Sequence, residues 1–397
     1  MIIVIADDIT GAAEIAGIAS RHGLVTRLMT RLSTPLPPAD VLVLATDMRS
    51  GSEEEAVMTT KEIAALICSA RDPHAGKETC TCRPDDVVLF KKTDSALRGH
   101  IVAETRAMTD AFGFDSALLI PQNPSKDRII YKGTYYIKGV ELAGTAFRYD
   151  PEFPALTSDV CRRLAGARLL TVDGDMDKGI YIADAMNAGE MTRQISKADA
   201  GTLMAGAADC FEAMLQNKGW GTATSAGRQS RDCDAMPRHA HVSSLLVVCG
   251  STQSRSLKDE PYIKKMGAEE MGMPEDVFHG GDPEQWLTLL ERSYRQNGSL
   301  VMTIGQPSTG GKAYAVRLRN LMSLAVSRLV RCRRPDSIII EGGATAYTLL
   351  NRLGWHSFTI REEIAPGVVC MHHDRTDIIL KPGSYPWGNL FSTHQHR

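Results

Sequence analysis

The sequence lacks the features that mark a membrane, secreted or nucleic-acid-binding protein. None of its 397 residues belongs to an apolar run of about 18, the length that a membrane-spanning helix needs. The 45 basic and 47 acidic residues give a formal net charge of −2, so no basic excess favours nucleic acid or an anionic membrane. Asp7 and Asp8 interrupt the first apolar run before it reaches signal-peptide length. We therefore expect a cytoplasmic protein with neither nucleic acid nor membrane as a partner.

Standard cofactor motifs are also missing. No G-x-G-x-x-G follows a strand pattern, which argues against a dehydrogenase with a dinucleotide fold, and no G-x-S-x-G elbow indicates a hydrolase. Residues 306–313 look like a phosphate-binding P-loop, but Gln306 replaces its first glycine and Ala313 its final hydroxyl residue. Cys80 and Cys82 have no second pair at metal-ligand spacing, so no zinc site is predicted.

The hydrophobic pattern predicts an α/β protein of two domains. The chain is too long for one hydrophobic core, and short apolar runs alternate with longer amphipathic ones. We expect each domain to be built around a mostly parallel sheet flanked by helices, with a cleft between the domains. The predicted strands are 2–6, 41–45, 87–90, 117–120, 168–172, 245–249, 300–304 and 337–340, and the predicted helices are 12–20, 53–69, 101–112, 282–296 and 344–353.

Three segments depart from this alternation. Residues 217–242 are rich in polar and turn-forming residues, which predicts a linker between a first domain, 1–216, and a second, 243–397. Residues 71–84 are short and polar, as in a surface loop. Over residues 129–137, two β-rich runs flank Lys132 and Gly133, and this pattern predicts a hairpin.

Polar residues follow the strands predicted for the first domain. Because ligands in open α/β sheets bind beyond the carboxyl ends of the strands, we expect these residues to form a site. A hydroxy acid fits their chemistry, since cations bind a carboxylate and an aspartate accepts a hydroxyl proton. The alternative is that the acids cap a helix and the cations are solvated. The candidates are Asp7, Asp8, Arg49, Lys91, Lys92, Thr93, Asp94, Ser95 and Arg98, with Lys126 and Arg128 in a proline-bounded loop whose orientation stays open.

Three glycine-containing turns follow strand patterns in the second domain. They contain Gly250 with Ser251, Gly342 with Gly343, and Gly383. Glycine allows backbone amides to approach a phosphate closely, and a helix that begins at such a turn adds positive potential. Each turn alone is equally compatible with ordinary chain reversal. Three such turns in one domain indicate a nucleotide site.

The order and spacing of these motifs resemble those of the four-carbon acid sugar kinases, a family that includes threonate, erythronate and 3-oxo-tetronate kinases. The resemblance covers nearly the whole chain, although Ala96 and Asp127 depart from the usual pattern on the substrate side. The motifs that carry it are residues 6–12, 91–99, 121–128, 150–151, 250–251, 342–346, 365–367 and 380–384.

The resemblance implies an N-terminal sugar-acid domain and a C-terminal ATP domain. By the same resemblance, ATP is held by Ser251, Gly342, Gly343, Ala344, Thr345 and Gly383, and the sugar acid by Asp8, Arg49, Lys92, Thr93, Asp94 and Ser95.

A kinase reaction on this chain would rest on positioning and charge neutralisation, with Mg²⁺ bridging the phosphates of ATP. We expect Arg49, Lys92 and Arg98 to face the sugar acid, and Asp94 or Asp8 to orient or deprotonate the attacking hydroxyl, with Asp94 slightly favoured as the base. The alternatives are a non-catalytic protein of the same fold that binds sugar acids or nucleotides, and a dehydrogenase of similar acids. A homodimer through an edge strand or the 129–137 hairpin is a further hypothesis.

Overall fold

The computed structural model describes residues 1–71, 87–150, 152–221, 242–250, 256–306 and 311–383. It divides the chain into two compact units, Met1–Ser225 and Ala226–Arg397. Most of the predicted linker and of the predicted loop at 71–84 lies outside the described residues, so the linker, the loop and the domain boundaries stay predictions. No helix in the described part of the chain is both long and apolar enough to span a bilayer.

The first unit is an α/β layer structure. Its strands are β1 (Ile2–Ala6), β2 (Thr26–Met29), β3 (Val41–Ala45), β4 (Val88–Lys92), β5 (Ser116–Ile120), β6 (Arg128–Tyr131), β7 (Thr134–Ile137), β8 (Val140–Glu141), β9 (Arg168–Leu170), β10 (Gly179–Ala183) and β11 (Thr202–Gly206). Its helices are α1 (Ile9–Arg21), α2 (Glu53–Arg71), α3 (Ile101–Phe112), α4 (Val160–Arg163), α5 (Ala188–Ile195) and α6 (Ala208–Asn217).

Eight of these strands form the main sheet of the first unit, in the order β2-β3-β1-β4-β11-β5-β10-β9, and all neighbours are parallel. The central strands are apolar and buried throughout, as expected where helices cover both faces of a parallel sheet. Buried side chains of the sheet and of α2 and α3 form one hydrophobic core. This core fixes the edge of the sheet at which β1, β3 and β4 end.

The predicted hairpin is confirmed. Strands β6 and β7 pair antiparallel, and Lys132 and Gly133 between them have φ values of 48° and 73°. Two successive positive φ values are typical of the tight turn that matches strand twist, and Gly133 adopts this conformation without strain. Strand β8 extends the hairpin to a three-stranded sheet.

The second unit has its own sheet. Its strands are β12 (Leu245–Cys249), β13 (Glu269–Gly272), β14 (Ser299–Thr303), β15 (Ser337–Glu341), β16 (Ser357–Ala365), β17 (Val368–His373) and β18 (Thr376–Lys381). Its helices are α7 (Pro261–Lys265), α8 (Glu275–Phe278), α9 (Glu284–Asn297), α10 (Lys312–Cys332) and α11 (Gly343–Leu353). Strands β13-β14-β12-β15-β18 are parallel neighbours, and β17 and β16 continue the sheet antiparallel. Each unit therefore has a mostly parallel sheet with helices, and the predicted fold class is confirmed.

Candidate active site

The predicted polar residues of the first unit come together at one edge of its sheet. Strand β1 lies between β3 and β4, and the register places Ala6 opposite Ala45 on one side and Lys92 on the other. The residues that follow these positions therefore leave the sheet side by side. They bring the Asp7–Asp8 pair, Arg49 and the loop after Lys92 into one cluster.

Arg49 lies at the centre of this cluster. Its Nε donates to Asp7 Oδ2 at 2.8 Å, its Nη2 donates to Asp8 Oδ1 at 3.0 Å, and its Nη1 lies 3.5 Å from Asp94 Oδ1. Its side chain is only 14% exposed. Burial acts to lower the pKa of Arg49, but the adjacent Asp7, Asp8 and Asp94 carboxylates outweigh it and raise that pKa well above its usual value. One planar guanidinium thus holds three carboxylates.

Asp94 is bound on both oxygens. Arg98 Nη2 donates to Oδ1 at 2.8 Å and Arg98 Nε donates to Oδ2 at 2.9 Å, a bidentate pair. The backbone N–H groups of Ala96 and Arg98 also donate to Oδ2. Burial acts to raise the pKa of Asp94, but Arg49 and Arg98 hold it far below its usual range. A carboxylate of such low proton affinity is poorly suited to act as a base and well placed to orient two arginines.

The side chains of Asp8 and Lys92 both lie next to Gly11. Asp8 caps α1 by accepting from the Gly11 N–H at 3.0 Å and from the Thr10 hydroxyl. A Cβ at Gly11 would lie 2.7 Å from Asp8 Oδ1 and 2.9 Å from Lys92 Nζ, so only glycine leaves room for both side chains. Burial acts to raise the pKa of Asp8, but Arg49 and Lys92 lower it below its usual value. Its side chain is 19% exposed, more than those of Asp7 and Asp94.

The two lysines at the end of β4 have different surroundings because successive strand residues face opposite sides of a sheet. Lys92 Nζ donates to the Thr93 carbonyl at 2.9 Å and lies 3.9 Å from Glu14 Oε2 on α1. Lys91 Nζ lies 2.5 Å from Glu104 Oε2 on α3, and both side chains are 1% exposed. Only Lys92 therefore lies on the side of the sheet where Asp8 and Arg49 cluster.

Ser95 connects the cluster to the hairpin. Its Oγ accepts from Arg128 Nη1 at 2.5 Å, and its carbonyl accepts from the hydroxyl of buried Tyr135 on β7. Burial raises the pKa of Tyr135 far above its usual value, so this hydroxyl remains a donor. Thr93 is also buried, and its Oγ1 has no hydrogen-bond partner among the described residues. The hairpin thus fixes one wall of the cluster.

In the second unit, the glycine turns that the structure describes come together. Strands β12, β15 and β18 are neighbours, so their carboxyl ends share one edge. The Gly250 N–H donates to the Glu341 carbonyl at 3.1 Å, and the Gly342 N–H donates to the Lys381 carbonyl at 2.9 Å. A Cβ at Gly383 would lie 4.0 Å from Gly342 Cα. Ser251, predicted beside them, lies outside the described residues.

Helix α11 begins at this edge with an open N-terminus. Its N-cap, Gly342, has φ 101° and provides no capping side chain. The first N–H groups of a helix have no partner within the helix, so those of Gly343, Ala344 and Thr345 are available to an anion. The turns at Gly250, Gly342 and Gly383 lie around this helix start, and we call the turns and the first N–H groups of α11 the α11 cradle. Such an arrangement of N–H groups suits the phosphates of a nucleotide.

A buried ion pair below these turns was not predicted from the sequence. Lys381 Nζ lies 2.7 Å from Glu341 Oε1, and the two side chains are 1% and 3% exposed. The register of β15 and β18 places the two residues opposite each other. A charged residue at the end of each apolar strand was the available signal, but their pairing depends on strand order, which the sequence did not provide.

We predict that Gly250→Ala destabilises the second unit and weakens nucleotide binding. A Cβ at Gly250 would lie 2.2 Å from Thr345 Oγ1 and 2.8 Å from the Glu341 carbonyl, so α11 or β15 must shift. Such overpacking costs about 1–3 kcal/mol. Urea unfolding and calorimetric titration with ATP would measure both effects.

The matched control is Gly272→Ala on β13, where the nearest atom to a Cβ, Thr303 Oγ1, is 3.5 Å away. Equal unfolding midpoints and ATP affinities for the two variants would contradict the assignment of Gly250 to the cradle.

Family models match segments in both parts of the chain. Residues 2–199 match the family described as a sugar-binding N-terminal domain, and residues 283–385 match a nucleotide-binding C-terminal domain. The cluster around Arg49 lies in the first match, and the α11 cradle, apart from Gly250, in the second. The chain belongs to the four-carbon acid sugar kinase family, because the two matches together cover more than half of the chain and its relatives are named as kinases of such acids.

Relatives and solved structures extend over almost the whole chain. A D-threonate kinase of Salmonella typhimurium is 24% identical, with 96% of this chain and 95% of that protein covered. A 3-oxo-tetronate kinase of Brucella melitensis is 25% identical, with 92% and 88% covered.

Among solved structures, a Salmonella typhimurium protein described as a putative tRNA synthase has a TM-score of 0.73 at 20% identity, with 97% and 96% covered. A Haemophilus influenzae protein has a TM-score of 0.68 at 18% identity, with 98% of each chain covered. These two likenesses concern the fold alone.

Proposed function

We propose that this protein is an ATP-dependent kinase that phosphorylates a hydroxyl of a four-carbon sugar acid such as threonate, erythronate or 3-oxo-tetronate. The observation that carries the proposal is the buried aspartate–arginine cluster within the segment that matches a sugar-binding domain. Relatives over nearly the full length are named as kinases of such acids, which supports the same reaction. Phosphorylation of a sugar acid belongs to carbohydrate-acid catabolism.

On the sugar side, Asp8 is the proposed partner of the attacking hydroxyl. It is the most exposed carboxylate of the Arg49 cluster, and it stays ionised because Arg49 and Lys92 lower its pKa. An ionised carboxylate accepts a hydrogen bond from the hydroxyl and orients its oxygen. Phosphoryl transfer through a loose transition state needs little removal of the proton beforehand. Asp94, the base favoured from the sequence, would instead keep Arg49 and Arg98 in place.

On the nucleotide side, the N-terminus of α11 and the turns at Gly250, Gly342 and Gly383 would bind phosphates of ATP. Mg²⁺ would neutralise charge on these phosphates when bound to them. It usually keeps several waters and takes one or two protein carboxylates, so it would enter with the nucleotide. The N–H groups of Gly343, Ala344 and Thr345 would orient the phosphate chain.

The test is ADP release from ATP and Mg²⁺ with a panel of D- and L-threonate, D- and L-erythronate and 3-oxo-tetronate. We expect one acid to give a rate far above the others. If no acid supports ADP release, calorimetric titration with ATP and with each acid separates the remaining cases. Binding of both without turnover would replace the proposal by a non-catalytic binding protein, and a nicotinamide absorbance change would replace it by a dehydrogenase. The homodimer remains a hypothesis.

A further inference from the structure

The acidic and basic side chains of the cluster around Arg49 are equal in number, so the cluster has no net positive charge that would attract a carboxylate. Its acids are Asp7, Asp8 and Asp94, and its cations are Arg49, Lys92 and Arg98. Arg49 and Arg98 each direct at least two N–H groups to aspartate oxygens. A sugar acid that carries a carboxylate therefore needs a further cation at this edge, if the proposed function holds.

Two other cations near the cluster are already engaged. Lys126 forms an ion pair with Glu14 on α1. Arg163 donates to the carbonyls of Leu97, Pro154 and Phe153, so its guanidinium is occupied by backbone oxygens. Neither group is free to receive an incoming carboxylate without losing these partners.

Arg128 differs from both. Its Nη1 donates to Ser95 Oγ at 2.5 Å, which places the guanidinium beside the loop that carries Asp94. No aspartate or glutamate among the described residues lies within ion-pair distance of it, and within the same residues its Nε and Nη2 donate no hydrogen bond. The side chain is partly buried rather than freely solvated.

The surroundings hold this guanidinium in place. The ring of Phe147 lies 5.7 Å from Arg128 Cζ and 5.5 Å from Arg98 Cζ, so both guanidinium groups contact one aromatic side chain. The Arg128 N–H donates to the carbonyl of buried Asn123 at 3.0 Å, and β6 pairs with β7 directly after it. A cation fixed in this way loses little conformational freedom on binding a ligand.

We propose that Arg128 binds the carboxylate of the sugar acid and selects acids over uncharged polyols. This assignment rests on the proposed function and identifies the group that recognises the charge of the substrate. Nε and Nη2, which donate to none of the described residues, match the two oxygens of a carboxylate, and Ser95 Oγ accepts from Nη1 on the other side of the guanidinium. The hairpin would then position the residue that determines specificity, since Arg128 is the first residue of β6.

The experiment compares the wild-type chain with Arg128→Met and Arg128→Lys in steady-state ADP release. With the best acid of the panel, Arg128→Met should raise KM about 10- to 150-fold, the value of a charge-assisted hydrogen bond, while KM for ATP stays unchanged. Preference for the acid over threitol, which lacks the carboxylate, should fall by a similar factor. Arg128→Lys keeps the charge but loses the planar pair of N–H donors. Its KM for the acid and its preference over threitol should lie between those of the wild type and those of Arg128→Met.

The matched control is Arg148→Met, which removes the same charge from an exposed position near Phe147. It should leave KM for the acid, KM for ATP and the selectivity over threitol unchanged. An active wild type with equal KM values for Arg128→Met and Arg148→Met would overturn the role of Arg128 but not the kinase. A wild type that neither binds nor phosphorylates any acid of the panel would overturn both.

Discussion

Replacing Arg49 by methionine should abolish most turnover and destabilise the first unit. The change leaves Asp7 buried without its cation and removes the shared partner of Asp8 and Asp94. Loss of one member of a buried ion pair costs about 3–5 kcal/mol, because the remaining charge stays uncompensated. Displacement of Asp8 should lower kcat about 100-fold or more, the effect of a misplaced positioning group. Urea unfolding and ADP release would measure the two effects.

The stability loss of Arg49→Met should depend on pH in a defined direction. In the wild type, the pKa values of Asp8 and Asp94 lie below their usual value, and the unfolded chain binds protons more tightly. These groups therefore stabilise the fold above about pH 4, and the contribution falls as pH drops through the folded pKa values. Loss of Arg49 removes the largest of the charge effects that lower both pKa values, while Lys92 and Arg98 remain, so both pKa values should rise from those of the wild type. The gap in unfolding free energy between variant and wild type should thus be largest near pH 7 and shrink as the pH drops through the pKa values of the variant.

The control for this variant is Arg21→Met. Arg21 pairs with Glu212, and the two side chains are 47% and 31% exposed. Such a surface pair is worth at most about 1 kcal/mol, so stability and kcat should stay close to those of the wild type. A similar pH-independent loss in both variants would mean that Arg49 does not act through the carboxylate cluster.

The sequence predicted the bounds of several strands, but not the side-chain pairs that depend on the order of the strands in the sheet. Apolar runs with turn residues on both sides identified strands such as β1, β3 and β12 with their observed bounds. Strands β10 and β11 were not predicted, because their apolar runs are short and are bounded by Gly179 and Gly206, and β11 has a single β-branched residue, Thr202. Helix α10 was not predicted either, since its arginines obscure the apolar stripe.

The sequence was enough to predict which residues come together in the candidate site, but not which of their atoms bind each other. The rule that sites form beyond strand ends placed Asp8, Arg49 and Asp94 together, as the structure has them. Which oxygen each guanidinium binds depends on strand order and side-chain direction, and neither can be read from one sequence. For this reason Asp94 was favoured as a base, although Arg98 occupies both of its oxygens.

A second large effect is expected at the Lys91–Glu104 pair, which joins the core face of β4 to α3. Lys91→Met should lower the free energy of unfolding by about 3–5 kcal/mol, because the Glu104 carboxyl group is then buried at 1% exposure without its cation. Residues 93–100, which include Asp94 and Arg98, connect these two elements, so activity should fall along with stability. Urea unfolding at pH 7 measures the loss directly.

The double variant Lys91→Met/Glu104→Leu separates buried charge from lost packing. With both charges replaced by apolar groups of similar volume, most of the lost stability should return, since a buried pair is seldom more stable than a well-packed apolar substitute. Lys178→Met is the exposed control: Lys178 pairs with Asp115 at 2.9 Å, but the side chains are 85% and 56% exposed, so its loss should be small. If Lys91→Met is as mild as this control, or the double variant is no more stable than Lys91→Met alone, the pair does not hold the strand-to-helix connection. If the double variant regains stability but its activity stays low, Lys91 also positions residues 93–100, the loop that contains Asp94. Only the geometry of this loop would then differ from that of the wild type.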